Sequence, residues 1–589
     1  MLCPRQMANK QSSKDLRRIR RRLDALLDST NTDQVEVCLP ISLTRKYLSE
    51  HTPVGVAEVE WTEFARYIVS RIVVATLNED FKRGGSKGQW VWLPIEAFKD
   101  LATTKYTVMQ TALVELGILE CDKKSSYTQG LTFGYRLGPR YRKQPIKFRR
   151  LTASRVLRKL QDWNRSELKK QKERVNIIAH VAKGWLDYQN INIDREGALE
   201  FLQRYHDVML QKVRRRVNAL RAGKMELDKQ VAWVNNQYLY TKHQVERWGE
   251  HPTISVDSSG GRFYHPLVGL LSPLRNFVTY QGGPLVNFDL KNSQPLHLLM
   301  VMRRDFWQEK SRQTWSLRKL NEDLWSATRE GGKELGELLS TSPPKELQKP
   351  PQHTDGEHDA ATHFAELVLS GKLYEFMVEK FQGRFVTSKG VDRFGTRELA
   401  KREMLRLMYF NSANRHSDAQ QPFSEFRQLF PEVANVMDLL KRREYADFPV
   451  LLQQLEAHMI LEKVSRRIYD HNPDAWFTTI HDSLITTPEH AALVQGVLRS
   501  TYVEVLNAAP AIERTDLHPD AAFDNLFDYV QRKVDKNIGD SEDQESRSSR
   551  LQLESWLRTQ VTGVDASLVY PFDELSNSST ITNPFEDTK

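Results

Sequence analysis

Two β-prone runs, each meeting an aspartate, constrain what this chain can fold into more than any other feature. The first lies in PLVNFDLKNSQPLHLLM, where Leu285, Val286 and Phe288 precede Asp289 and a helix is predicted to follow Pro295. The second is WFTTIHDSLITTP, where two short runs flank His481, Asp482 and Ser483. Such runs around a tight turn read as a hairpin with Asp482 at its tip. An acid at a strand end is most often a cap or turn residue and nothing more. Two carboxylates on neighbouring strands, however, can hold two divalent cations about 3.5–4 Å apart. One ion would lower the pKa of an attacking hydroxyl, and the other would offset charge on departing phosphates.

Between the two acids lies GTRELAKREMLRLMYFNSANR, a helix with Thr396 as its N-cap. Arg397, Lys401, Leu405 and Tyr409 recur every four residues and share one gently drifting face. Its cationic end suits a triphosphate, and the Tyr409 ring suits a base pair. The plainer reading is a salt-bridged surface helix, with Glu398 four residues before Arg402. Arg402 and Arg406 repel at the same spacing, so the helix holds more cations than that pairing absorbs. Upstream, SSGGRFYHPLVGLLSPLRNFV supplies Arg262 and Arg275. Downstream, FPVLLQQLEAHMILEKVSRRI reads as a helix carrying Gln453, Gln454, Glu456 and His458.

Composition narrows the class. A chain of 589 residues predicts about three to five domains. A net charge of +9 favours a polyanionic partner. Cys3, Cys38 and Cys121 form no CxxC pair, which argues against a zinc ribbon, a disulfide scaffold or an iron–sulfur cluster and fits a reducing cytosol. The opening MLCPRQMANKQSSKDLRRIRRRL lacks a long apolar core, so no signal peptide is expected. Nowhere do about 18 uncharged apolar residues run together, so no membrane partner is expected and the location is read as cytoplasmic.

The chain divides by pattern. Residues 1–40 read as a basic N-terminal arm with Arg17, Arg18, Arg20, Arg21 and Arg22 clustered on a helix. Residues 41–145 read as a winged-helix-like module. Helical VEWTEFARYIVSRIVVATL gives way to strand-like QWVWLP, then to helices IEAFKDLA and VMQTALVELGIL, then to the hairpin pattern LECDKKSSYTQGLTFGYRLG. Residues 146–254 read as almost wholly helical and basic. Lys169, Lys170, Lys172 and Arg174, then Lys212, Arg214, Arg215 and Arg216, could grip a duplex backbone or simply face solvent. Residues 336–360 are polar and proline-rich, an expected flexible insertion. Residues 533–589 have the composition of a disordered tail, with apolar islands LQLESWL and VYPFDEL able to dock a protein partner.

Taken in order, these elements resemble the family A polymerase superfamily, which includes family A DNA polymerases and phage-type single-subunit RNA polymerases. The order is Gly261-Arg262, the arginine of LRNFV, the strand ending in Asp289, RxxxKxxxxxxxY from Arg397 to Tyr409, a glutamine-bearing helix, and HDS. The resemblance covers about residues 255–510. It implies an α/β (α+β) right-hand polymerase fold whose palm carries an antiparallel sheet. The palm would be split between 255–335 and 451–532 around fingers at 361–450, with a helical thumb at 146–254. It implies Asp289 and Asp482 as catalytic metal ligands for two Mg2+ ions, or Mn2+ in their place. Arg397 and Lys401 would face the triphosphate and Tyr409 the nascent pair. His481 would lie by the primer terminus, and Arg262, Arg275 and Gln453 or Gln454 would touch primer–template.

The sequence departs from that pattern after Asp289. LKNSQP brings Ser293 and Gln294 two residues late, and the glutamate that screens the sugar 2′-position has no clear counterpart. Leu405 stands where DNA polymerases usually carry Phe or Tyr, and Phe410 where Gly normally follows the Tyr. The expected function is a compact template-directed nucleotidyltransferase, a DNA polymerase more than an RNA polymerase, serving DNA replication in a phage, plasmid or other mobile element. Its partners would be template, primer and nucleoside triphosphates. Two alternatives stand beside it: a single-subunit RNA polymerase or primase-like enzyme, and a nucleic-acid-binding replication initiator with an inactive palm.

Overall fold

EVCLP is short, apolar and buried along most of its length, and it finds its partner far along the chain. The computed structural model describes residues 4–29, 35–77, 90–93, 105–122, 134–152, 158, 168–219, 224–250, 252–258, 260–303, 360–387, 392–412, 414, 417–441 and 447–538. One unit spans Met1–Gly539, and a second, Asp540–Lys589, lies outside the described residues. The insertion read at 336–360, most of the tail read at 533–589 and the helix read from IEAFKDLA also fall almost wholly outside them. Among the described residues, the fold is a mixture of helices and small antiparallel sheets.

Strand β1 (Glu36–Pro40) opens the N-terminal module. β2 (Val91–Trp92), β3 (Leu119–Asp122) and β4 (Gly134–Leu137) form a sheet ordered β2-β4-β3. β5 (Ile146–Arg150) then returns antiparallel to β1, with Cys38 opposite Phe148. β1 ends just before residue 41 and β5 begins just after residue 145, so their pairing brings together the two ends of the 41–145 segment. The helix Glu58–Leu77 starts with Glu58 and Glu60, which suit the positive end of its dipole. Trp61, Phe64, Ile68 and Ile72 recur along it at helical spacing and are buried with Val37, Leu39, Met109, Leu113 and Tyr135 in a core of their own. Burying each such side chain contributes about 1.5–3 kcal/mol.

A buried ion pair closes this module. Arg66 NH1 donates to Glu63 Oε1 at 2.6 Å, and the two side chains are 8% and 0% exposed. The Thr152 backbone N–H donates to Glu63 Oε2 at 2.9 Å, while Arg66 NH2 donates to the Arg150 carbonyl at 2.8 Å. The pair therefore fixes the helix to the end of β5, where the chain leaves the module.

Among its described residues, the region expected to be almost wholly helical, 146–254, contains two strands, β5 at its start and β6 (Ile191–Ile193). Its long helices, Arg195–Ala219 and Lys224–Glu246, cross antiparallel: Tyr238 donates to Gln203 at 2.8 Å, and His206 meets Asn235 at 2.8 Å. Asn236 joins the second helix to the module by imitating a strand. Its amide donates to the Gln144 carbonyl at 2.9 Å and accepts from the Ile146 N–H at 3.1 Å. The N-terminal helix Pro4–Ser29 buries Leu16, Leu23, Leu26 and Leu27 in the main core. Arg17, Arg18 and Arg21 stay exposed on it, while Arg22 reaches Asp187 at 2.8 Å.

The remaining strands organise the second half. β7 (Ser255–Val256) pairs with β8 (Phe263–Tyr264), and β6 with β9 (Val278–Tyr280). β10 (Leu285–Leu290), β11 (Phe477–Ile480), β12 (Ser483–Thr486) and β13 (Ile512–Leu517) form a four-stranded antiparallel sheet ordered β11-β12-β10-β13. Central β10 is buried at Leu285, Val286, Phe288 and Leu290. Among the described residues, no helix is long and apolar enough to cross a membrane.

Candidate active site

Asp289 lies near the end of β10, opposite Ser483 on β12 and Glu513 on β13. Asp482 immediately precedes Ser483, in the two-residue turn between β11 and β12. His481, the first turn residue, adopts φ 55°, a left-handed conformation that histidine tolerates better than most side chains. The turn and the register thus set the two half-buried aspartates beside each other. Burial first, then the charges of Glu456 and Asp289, push the Asp482 carboxyl well above the usual aspartate range, against the pull of Lys401. Asp289 is raised too, by burial, with Lys401 opposing and Glu513 and Glu456 adding to the rise. Two acids held up in this way present oxygen donors and surplus negative potential, the setting a hard cation relieves.

Lys401 comes from the helix Arg397–Tyr409. Thr396 caps it, its hydroxyl accepting from the Leu399 N–H at 3.3 Å. Leu399, Ala400, Met404, Leu407 and Met408 turn inward, and Lys401 is exposed. Arg397 donates to Glu375 at 2.7 Å and lies 5.5 Å over the Tyr374 ring. Arg406 donates to Glu403 at 2.7 Å and also meets Asp418, so part of the expected cationic surplus is paired.

The far end of this helix rests on a buried lysine. Lys441, 5% exposed, donates to the Leu407 carbonyl at 2.8 Å inside a cage of Phe410, Phe423 and Phe448. Burial pushes its ammonium down to about 7, against the pull of Asp438. Between that value and the usual lysine range near about 10.4, the unfolded chain binds more protons than the folded one. Stability therefore rises with pH across this window, by up to about 1.4 kcal/mol per pH unit, and is lost as pH falls towards 7. Denaturant melts should show that rise in the parent and a flatter profile in Lys441→Met; parallel profiles would refute the assignment.

The helix Asp447–Ala457 supplies a further residue, one outside the set expected from sequence. Glu456, 2% exposed, accepts at Oε1 from Arg262, at 2.8 Å from NH2 and 3.2 Å from Nε. At Oε2 it accepts from Ser293 Oγ at 2.9 Å and Gln294 Nε2 at 2.5 Å. Gln294 Oε1 in turn accepts from the Tyr409 hydroxyl at 3.0 Å. The late Ser293 and Gln294 reach this carboxylate because the chain turns at Asn292, φ 57°, directly into the helix Ser293–Met302, which starts before Pro295 instead of after it. The signal available in sequence was a Gln-Gln-x-Glu cluster inside the apolar run FPVLLQQLEAHMIL, polar residues on a helix that must be buried.

Other predicted residues take up nearby posts. Gln453 lies against the turn before Arg262: a Cβ at Gly260 would sit 3.0 Å from its Oε1. Gln454 is buried on the same helix, 7% exposed. His481 meets the Tyr264 ring edge-on with centroids 5.8 Å apart. Arg275 donates to the Leu267 and Val268 carbonyls at 3.1 and 3.5 Å, bonds that support the turn after β8. A π-helical stretch, His458–Val464, follows Glu456, and its Leu461 carbonyl meets His180 at 2.6 Å.

No protein-family model matches the chain, and no curated protein matches it. Among solved structures, it is similar to the POL domain of Pol1 from M. smegmatis in complex with DNA primer-template and dNTP. The TM-score is 0.35 at 12% identity, covering 62% of this chain and 76% of that chain.

Proposed function

We propose that this chain is a template-directed nucleotidyltransferase, a compact DNA polymerase that uses two divalent cations held at Asp289 and Asp482. One observation carries the reading: a hairpin turn sets Asp482 beside Asp289 on the central strand, with the Lys401 charge acting on both. Among the described residues, no cluster of three or more His, Cys, Asp or Glu side chains could hold a metal. Two carboxylates nevertheless fit Mg2+, which binds through one or two carboxylates plus substrate phosphates and keeps several waters. When bound, the ions would favour attack by a strand's terminal hydroxyl and compensate charge on the leaving phosphates.

The chain's own residues do the positioning. Lys401 offers an exposed ammonium to the triphosphate, with Arg397 on the same helix face. Tyr409, fixed through its hydroxyl, presents a ring to the new base pair. Arg262, Arg275, His481 and the two glutamines are assigned to primer–template. The basic helices and the N-terminal module are assigned to phosphate contacts that position a duplex without reading its sequence.

The test is an extension assay with primed and unprimed templates, dNTPs or rNTPs, and Mg2+ or Mn2+. The expected result is primed extension from dNTPs. Product made only from rNTPs without a primer would favour the RNA-synthesising alternative, and no extension under any condition would overturn the reading. Lys401→Met should lower kcat/KM for nucleotide about 10–100-fold, the worth of hydrogen bonds to a charged group.

A further inference from the structure

Glu456 comes from none of the segments that carry Asp289, Asp482 or Lys401, yet it ties two sides of the site together. Its two oxygens accept four hydrogen bonds, from Arg262 on one side and from Ser293 and Gln294 on the other. A carboxylate has about four acceptor positions, so this one is fully used and has none left for a ligand. It holds other groups in place. On one side it fixes the guanidinium of Arg262, which enters from the turn before β8. On the other, Gln294 passes the restraint to the Tyr409 hydroxyl.

We infer that Glu456 is a positioning residue that couples the strand-contacting arginine, Arg262, to the nucleotide-facing ring, Tyr409. The inference rests on the polymerase reading of the site. A chain of charge-assisted and neutral hydrogen bonds in a buried setting holds its members in one joint arrangement. A duplex that orders Arg262 then orders Tyr409 through Glu456 and Gln294, and the ordering cost of the nucleotide falls. Coupling of this kind is reciprocal: nucleotide tightens duplex binding by the same factor.

Glu456→Gln tests the proposal. A glutamine offers one acceptor oxygen and an NH2, so it cannot receive bonds from both sides. Tyr409→Phe removes the hydroxyl bond to Gln294 and leaves Glu456 with all four of its bonds, which guards against a merely misfolded first variant. Nucleotide affinity is measured by equilibrium titration of a dNTP, with and without a primed duplex, alongside extension kinetics. In the parent, duplex should tighten nucleotide binding. In both variants that enhancement should shrink about tenfold, with KM for nucleotide rising more than kcat falls. A parent that extends primers, with variants that keep the full enhancement, sinks the coupling role alone. A parent that extends nothing sinks the polymerase reading, and this inference with it.

Discussion

Asp289→Asn and Asp482→Asn should each reduce nucleotide incorporation roughly 10³-fold or more, the scale of several kcal/mol of charge stabilisation. The same substitutions should leave the metal-free protein folded and at least as stable as the parent. Burial, Glu456 and the companion aspartate raise Asp482, and burial raises Asp289. A carboxyl whose folded pKa lies above its unfolded value stabilises fully below the unfolded range, and that contribution is lost as pH rises through the folded value. At neutral pH each ionised acid is therefore a liability to the metal-free fold, and a neutral amide removes it. Thermal melts in chelator should show the parent losing stability, relative to either variant, as pH rises from about 4 towards neutrality. Added Mg2+ should raise the parent's Tm by mass action and have little effect on the doubly substituted protein. Equal stabilisation of parent and double variant by Mg2+ would show that the ion binds elsewhere.

Arg66→Met should cost about 3–5 kcal/mol, because it strands a glutamate that is 0% exposed. Glu63→Leu should be comparably harmful, leaving a guanidinium that is 8% exposed without its acid. Combining the two substitutions should recover much of the loss, since exchanging a buried ion pair for apolar groups is often near neutral. Recovery should stay incomplete. Glu63 also receives the Thr152 N–H, and Arg66 also donates to the Arg150 carbonyl. Each orphaned backbone group costs about 1–3 kcal/mol. Denaturant unfolding gives the sizes, and amide exchange along β1 and β5 localises them. Single variants costing under about 1 kcal/mol would mean that solvent reaches the pair.

What could be read from sequence was whatever is encoded over a few residues. Thr396 as a cap, the helix Arg397–Tyr409 and the tight turn carrying Asp482 are local patterns, and the structure contains each of them. The helix after Asp289 starts earlier than its sequence suggests, because Pro295 reads as a boundary but stands at the third helical position. That position lacks an intrahelical partner for its N–H, so proline fits it. The β1–β5 pairing was missed because its halves flank a whole module, and neither half carries a mark of the other. The centrality of Glu456 was equally hidden. One acid on an apolar helix does not announce which arginine will meet it. Lys441 ran against expectation outright, because lysine is almost never fully buried.

The order of strands in the sheet has a consequence for biosynthesis. β10 emerges from the ribosome long before β12 and β13, the two strands that flank it. Until residue 517 has been made, the nascent chain carries an apolar strand with unsatisfied edges, a template for unwanted pairing with other chains. Folding of this half therefore waits on translation, and its long-range pairings are intrinsically slow to form. Chains released early would hold Asp289 without its companion acid, so prematurely terminated products should be both inert and prone to aggregate.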